Sequence, residues 1–425
     1  MDGSPLMNDI RIIDSLGNMA QETTWQKSQW DKLASMGLPD AKDESWRYTS
    51  LSSFKQLPLH HAQFQPAENI SYDSLSLGLD CYRLVFFDGR FSFRCSDWIP
   101  HATITPLYGV TGVEGFEMQK SIKPDAFVYL TDATATGGVL IDVAANRVID
   151  KPIYLLHISS GFKGDVCSYR HHLELGSSSQ CELIEHHISL SQGGGVTLSR
   201  LTGVVGGNAT LKHTKLIEES NQQHHFGHND LSLQRDSQAQ TNTVTLSGLL
   251  VRNQSSSELL AENANVEMNS LSLPKATQTF DNRTYLHHKA PHCNSNQLHK
   301  VIASGESNGV FEGMIYVSPQ ALKTDGQMDS HNLILSDAAR VNIKPQLEIY
   351  ADDVKCSHGA TTGQLDPNQI EYMRARGITK NEAKNMLLKA FAGEVALKLS
   401  NQDVKTYVLS KIDGLINQSY GEYDE

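Results

Sequence analysis

From Leu84 to Gly363 the sequence returns again and again to short strand-like runs, with few helix-length apolar patterns between them. Leu84 to Phe87, Phe127 to Leu130, Val139 to Val143 and Ile153 to Ile158 open the series. Cys181 to Leu190, Ala209 to Ile217, Thr241 to Val251 and Gly313 to Val317 continue it. These runs are rich in Val, Ile, Thr and Leu and are broken by Gly, Asn, Asp and Ser, the pattern of strands bounded by turns. A doubly wound α/β fold would follow each strand with a helix, so that fold is disfavoured. A sandwich, a barrel and a parallel β-helix remain. A stretch of about 280 residues is long for one sandwich and favours a solenoid, although no exact sequence repeat is visible.

The flanks read differently. Residues 1–80 read as an N-terminal helical region and linker, 81–365 as the β-helix core, and 366–425 as a C-terminal helical region. Trp25, Trp30, Leu33 and Met36 supply an apolar face for an early helix, which Gly37 and Pro39 should end. Near the other end, Thr379 and Glu382 have the spacing of a capping box. Ala383, Met386, Leu387, Ala390 and Phe391 then form a stripe at i, i+3, i+4, i+7 and i+8. Val404, Val408 and Ile412 form a second stripe. Packing on the body and docking a partner are open for both stripes. The acidic end, Tyr420 to Glu425, is expected to fray.

Charge and motif content exclude several functions. Lys and Arg number 36 against 48 Asp and Glu, a net charge of −12, which argues against broad nucleic-acid binding. No run approaches the length of a membrane span. Met1 to Ile10 shows no signal peptide, and six scattered cysteines make no disulfide framework, so a cytoplasmic protein with reduced thiols is expected. There is no G-x-x-x-x-G-K-[ST], H-E-x-x-H, C-x-x-C or G-x-S-x-G motif, and Gly193-Gly194-Gly195 reads as a turn.

Two features could carry chemistry. The first is 18 histidines, clustered at His171-His172, His186-His187, His224-His225-x-x-His228 and His287-His288-x-x-x-His292-Cys293. Adjacent residues on a strand face opposite ways, so a His-His pair cannot chelate one ion there. Polar positions on solvated strand faces are the plain expectation. A metal-dependent hydrolase on His224, His225 and His228 is the sharper alternative, and a polysaccharide-cleaving β-helix lacks the clustered acids it would need. The second feature is Cys356 and His358, which share a strand face. A thiolate and an imidazole can together bind iron, and Lys355 with a protonated His358 would lower the Cys356 pKa. Two ligands leave a coordination sphere incomplete, so a second chain supplies the rest or the pair is structural.

The stretch KPQLEIYADDVKCSHGAT, Lys344 to Thr361, closely resembles the hallmark of the SufD branch of the SufB/SufD family. ESWRYTSL (Glu44 to Leu51), CNSNQLHK (Cys293 to Lys300), KTDGQM (Lys323 to Met328) and YMRARGI (Tyr372 to Ile378) match in family order across nearly the whole chain. The resemblance implies a right-handed parallel β-helix between N- and C-terminal helical regions. It also implies a scaffold rather than an enzyme, paired with a SufB-like subunit. An ABC-type ATPase, SufC, would dock on the C-terminal helices and hence partly on the Ala383 to Phe391 stripe. A cysteine desulfurase system would supply sulfur. An iron–sulfur cluster would arise transiently at the subunit interface near Cys356 and His358. Reduced flavin is a further cofactor the family suggests, and self-pairing of the isolated chain is an expectation. The other cysteines, Cys81, Cys95, Cys167, Cys181 and Cys293, are expected to be buried structural thiols.

Overall fold

Parallel pairing of each strand with the strands two before and two after it defines the molecule. Thr210–Glu218, for example, lies between Gln180–Ser189 and Gln238–Ser247, parallel to both. Repetition of this scheme builds two ten-stranded sheets whose strands alternate along the chain, a parallel β-solenoid flanked by helices. The computed structural model describes residues 12–19, 23–62, 72–107 and 119–420. The stretches expected to lack a signal peptide, Met1 to Ile10, and to fray after Tyr420 lie outside these.

Alternation along each strand sorts residues between lumen and exterior. Leu183, Leu211 and Leu231 point into the common core, whereas Ile184 and Leu216 point outward. The sequence repeat is hidden because it is conformational. Asn146, Ser178, Asn208, Asp236, Asn263, His292 and Lys323 all have φ of 58–60°, recurring at intervals of roughly thirty residues, a solenoid-repeat size. Each sits at the same corner, and the turns bond to one another: Ser178 N to Gly207 O, Asn208 N to Arg235 O, and so on to Lys323 N and Asp353 O. Asn and Asp adopt this left-handed conformation most cheaply among residues with a Cβ, which explains their predominance at the corner.

Both outer faces are covered. On one sheet, Trp46, Phe54 and helix Ala126–Thr134 pack over Val166, Leu198 and Phe226, with Phe127 stacked on Phe226 at 3.8 Å between ring centroids. On the other, helix α1 (Lys380–Ala396) and helix α2 (Gln402–Tyr420) bury Leu388, Ala392, Val395, Val404, Val408 and Ile412 against Ile184, Leu216, Val244 and Leu271. The capping box forms: Thr379 Oγ1 accepts from Glu382 N, and Glu382 accepts from Thr379 N. The early helix, Thr24–Met36, ends at Gly37 (φ 77°); it buries Leu33 but leaves Met36 56% exposed.

Two strand expectations fail. Phe127 to Leu130 is helical because Asp125 caps the helix, its carboxylate accepting from Phe127 N and Val128 N. The segment is apolar throughout because all of it but the half-buried Tyr129 is buried. Thr241 to Val251 is two strands, Gln238–Ser247 and Leu250–Leu259, divided at Gly248, whose φ of 150° favours glycine. The Gly193 to Gly195 turn is as expected; Gly194 has φ 77° and lies so close to Gln222 O that a Cβ would meet it at 2.3 Å.

The two ends of the solenoid differ. Near its start, antiparallel strands Arg90–Ser92 and Ala102–Pro106 close the sheets. At the other end, among the described residues, Arg340–Ile349 pairs only with Asn308–Val317, and Lys355–Gly363 only with Asp325–Ile334. Lys355 N bonds to Thr324 O and Arg340 N to Ser307 O, directing those residues inward along the sheets. Alternation then turns the backbone groups of Cys356, His358, Ala360 and Thr362 outward, together with those of Val341, Ile343, Leu347 and Ile349. Pro345 falls on this outward set, the position where a strand tolerates a missing N–H.

Candidate functional site at the open end of the solenoid

Cys356 and His358 lie on the last strand, opposite Gly326 and Met328. Both face the lumen side of the sheet, since Met328 is in the interior core and Cys356 packs against that core. Cys356 is half-buried and His358 exposed. The thiol lies against Gly326: a Cβ there would be in ordinary contact with Cys356 Sγ, at 3.5 Å. Among the described residues His358 has no hydrogen-bond partner, leaving both ring nitrogens available. The pair thus sits at an open mouth beside an unpaired strand edge.

The expectation of an activated thiol is overturned. Burial pushes the Cys356 thiol above its ordinary value and the Asp325 carboxylate adds to this, against a backbone hydrogen bond from Gly326. Lys355 points to the opposite face of the strand from the thiol. In the free chain Cys356 is therefore a neutral thiol. A bound metal ion would convert it to a thiolate ligand.

The Ala383 to Phe391 stripe is divided rather than buried as one face. Ala383 is buried, Leu387 and Phe391 are half-buried, and Met386 and Ala390 are exposed, Met386 by 50%. The face that packs on the sheet runs instead through Leu388, Ala392, Val395 and Ala396. Helix α1 is rotated by an anchor the sequence pattern did not suggest. Lys300 reaches from the sheet to Phe391 O at 3.1 Å, bonds to Glu394, and lies 4.1 Å from the Phe391 ring centroid.

Three of the four histidine clusters are not on solvated faces, whereas in the fourth His288 is buried, His287 half-buried and His292 exposed. His171, His172, His186, His187, His224, His225 and His228 are each at most 4% exposed. Alternation splits every pair as expected. Outward, His186 Nδ1 pairs with Tyr154 Oη at 2.6 Å beneath the C-terminal helices, and His228 Nε2 lies 3.1 Å from Asp125. Inward, His157, His171, His187 and His225 meet in the lumen, His157 stacked on His187 at 4.1 Å and His187 edge-on to His225 at 4.8 Å. The trio His224, His225 and His228 therefore does not converge, and a hydrolase built on it is excluded. His224 bonds to Ser53 instead, at 2.9 Å. The other cysteines divide: Cys167, Cys181 and Cys293 are buried, and Cys81 and Cys95 are half-buried.

Residues 157–391 match the family model for the SUF system FeS cluster assembly, SufBD core domain. The chain is 40% identical to the iron–sulfur cluster assembly protein SufD of Escherichia coli over 90% of both chains. It is 27% identical to an iron–sulfur cluster assembly SufBD family protein of Synechocystis, over 86% of this chain and 84% of the relative. It is 22% identical to SufD of Bacillus subtilis, over 71% and 70%. No helix among the described residues is long and apolar enough to cross a membrane.

Proposed function

Because the chain belongs to the SufB/SufD family of iron–sulfur cluster assembly proteins, we propose that it is a non-catalytic scaffold whose open last rung docks a SufB-type subunit. The observation that carries this reading is the unpaired edge of Lys355–Gly363 and Arg340–Ile349, with Cys356 and His358 at its mouth. An exposed row of backbone donors and acceptors is a template for another strand. A partner docked there would bring further ligands to Cys356 and His358, completing a sphere that two donors leave open. The cluster, as cargo, would be built and released at that interface, with sulfur delivered by a cysteine desulfurase system. The same edge offers a second copy of this chain an isologous pairing when the partner is absent.

A SufC-type ATPase would dock on the exposed ridge of helix α1. Met386 and Ala390 lie one turn apart there, and Tyr372, on the preceding helix Pro367–Arg374, is 63% exposed. Nucleotide-driven movement of two ATPase copies would then work on the interface through the C-terminal helices. The test is anaerobic reconstitution of the chain with a SufB-type subunit and a SufC-type ATPase. A Met386→Glu, Ala390→Glu chain should keep its melting temperature and its SufB-type partner while retaining the ATPase at least tenfold more weakly on gel filtration. Undiminished ATPase binding by that variant would remove the ridge from the docking surface.

A further inference from the structure

The lumen of a β-solenoid is ordinarily filled with apolar side chains, and most of this one is. Its middle rungs break the pattern with Glu185, His187, His213, Lys215, Glu219 and His225, each at most 4% exposed. Several of these groups satisfy one another. Glu185 Oε1 accepts from His213 Nε2 at 2.8 Å and from Asn229 Nδ2 at 2.7 Å. Glu219 accepts from Thr197 Oγ1 at 2.5 Å and from His225 Nδ1 at 2.8 Å. Lys215 Nζ donates to Asn229 Oδ1 at 3.1 Å.

Other groups are left without a partner. Among the described residues neither nitrogen of His187 has a hydrogen-bond partner, and His225 Nε2 and Glu185 Oε2 are likewise unpaired. His187 Nε2 approaches Glu185 Oε2 only to 3.9 Å, beyond hydrogen-bonding range. A buried imidazole with both nitrogens idle is costly, and such groups ask for an explanation. His187, Glu219 and His225 each place one ligand atom within 4.8 Å of the others.

We propose that His187, His225 and Glu219 form a binding site inside the solenoid for a divalent transition-metal ion of borderline character, such as Zn²⁺ or Fe²⁺. Two imidazoles and a carboxylate are a donor set such ions accept. The ion takes the place of the proton between His225 Nδ1 and Glu219 Oε2, widening their separation from 2.8 Å to the about 3.3 Å required by tetrahedral bonds of about 2.0–2.1 Å. His187 joins through Nδ1, and its Nε2–H then turns to Glu185 Oε2. That contact is the carboxylate–histidine–metal arrangement that fixes ligand orientation elsewhere. Desolvation by the lumen holds both imidazoles in the neutral, ligating form. Lys215, the ammonium counter-charge of Glu185 and Glu219, competes with the ion. The site is separate from Cys356 and His358 and shares no residue with the docking edge.

A closed lumen admits ions slowly, so the ion must be present while the chain folds. The full chain is to be produced in zinc-supplemented medium, purified without chelator, and its zinc counted and examined by X-ray absorption. One equivalent is expected, with only nitrogen and oxygen neighbours and the scattering of two imidazoles. The equivalent should persist in a Cys356→Ser, His358→Ala chain and fall at least tenfold in Glu219→Gln and His187→Ala chains. Lys215→Met should retain zinc more tightly, since it removes the competing charge. A zinc-free chain would overturn the site, as would sulfur in the first shell or loss of zinc with Cys356 and His358 rather than with Glu219. The absorption experiment uses the unaltered chain, so its outcome does not depend on whether a variant folds.

Discussion

A complex assembled with the Cys356→Ala, His358→Ala chain is expected to form clusters at least tenfold more slowly than one with the unaltered chain, while still assembling. Neither side chain is needed for the fold. His358 is exposed and without a hydrogen bond, and Cys356 is only half-buried at the rim of the core. Removing them therefore leaves the docking edge intact and takes away two soft-to-borderline ligands. The single variants separate the roles. If Cys356 binds iron or carries sulfur, Cys356→Ser fails in cluster formation yet holds its partners. If the thiol only fills space beside Gly326, Cys356→Ala and Cys356→Ser both retain full activity. Cluster formation followed by anaerobic visible absorption, with partner content checked by gel filtration, decides between these.

The largest effect on stability is expected at Asp281. This fully buried carboxylate ties the N-terminal segment to the solenoid. It accepts from Thr49 Oγ1 and Arg252 at 2.5 Å each, and from Arg283 Nε at 3.0 Å. Arg252 in turn donates to Ser45 O at 3.0 Å and lies 3.7 Å from the Trp46 ring centroid. Asp281→Ala removes the carboxylate that two buried guanidinium groups share, leaving Arg283 with Glu312 at 2.6 Å and Arg252 with Asp125 only at 3.9 Å, a loss of about 3 kcal/mol. The melting temperature should fall, and proteolysis should begin around Glu44 to Leu51. Glu44→Gln, which breaks only the exposed pair with Lys344, should leave the melting temperature unchanged. The pH dependence has a definite sign. Burial would raise the Asp281 pKa, but Arg252 and Arg283 outweigh it and hold the carboxyl below its usual range. The contribution is thus complete above the unfolded value of about 3.9 and is lost as pH falls through the folded one. An unaltered melting temperature for Asp281→Ala at neutral pH would show that the N-terminal segment is held by its aromatic contacts alone.

The solenoid was legible because short β-branched runs without intervening helices leave few folds for a chain of this length. Its repeat was not, since the corner is a backbone conformation that Asn146, Ser178, His292 and Lys323 reach with unlike side chains. The helix at Ala126–Thr134 resembles a strand in sequence because a helix buried on every side loses its periodicity, although Asp125 was a usable cap signal. For Val404, Val408 and Ile412, packing on the body, one of the two readings left open, is what the fold shows. The neighbouring stripe did not, because Lys300, far away in sequence, sets the rotation of helix α1. Alternation split the histidine pairs as anticipated. Their burial was hidden because the partners that make it tolerable, Glu185, Glu219 and Asp125, lie on other strands or before a helix. Glu185 and Lys215 stand opposite each other in register, a relation visible only once the coils are stacked. The state of the Cys356 thiol was hidden for a related reason: its burial comes from the core packed beneath it, and adjacent Lys355 points away.

The most direct test of the central claim is the affinity of an Ala360→Pro chain for a SufB-type subunit. Ala360 has an outward backbone N–H on the last strand and an exposed side chain, and the same rung already carries Pro345. The substitution should therefore spare the fold while interrupting the row of donors offered to a partner strand. The account predicts a near-native melting temperature with affinity at least tenfold weaker, about 1.4 kcal/mol. Undiminished affinity in a folded Ala360→Pro chain would contradict it, placing the subunit interface away from the open edge.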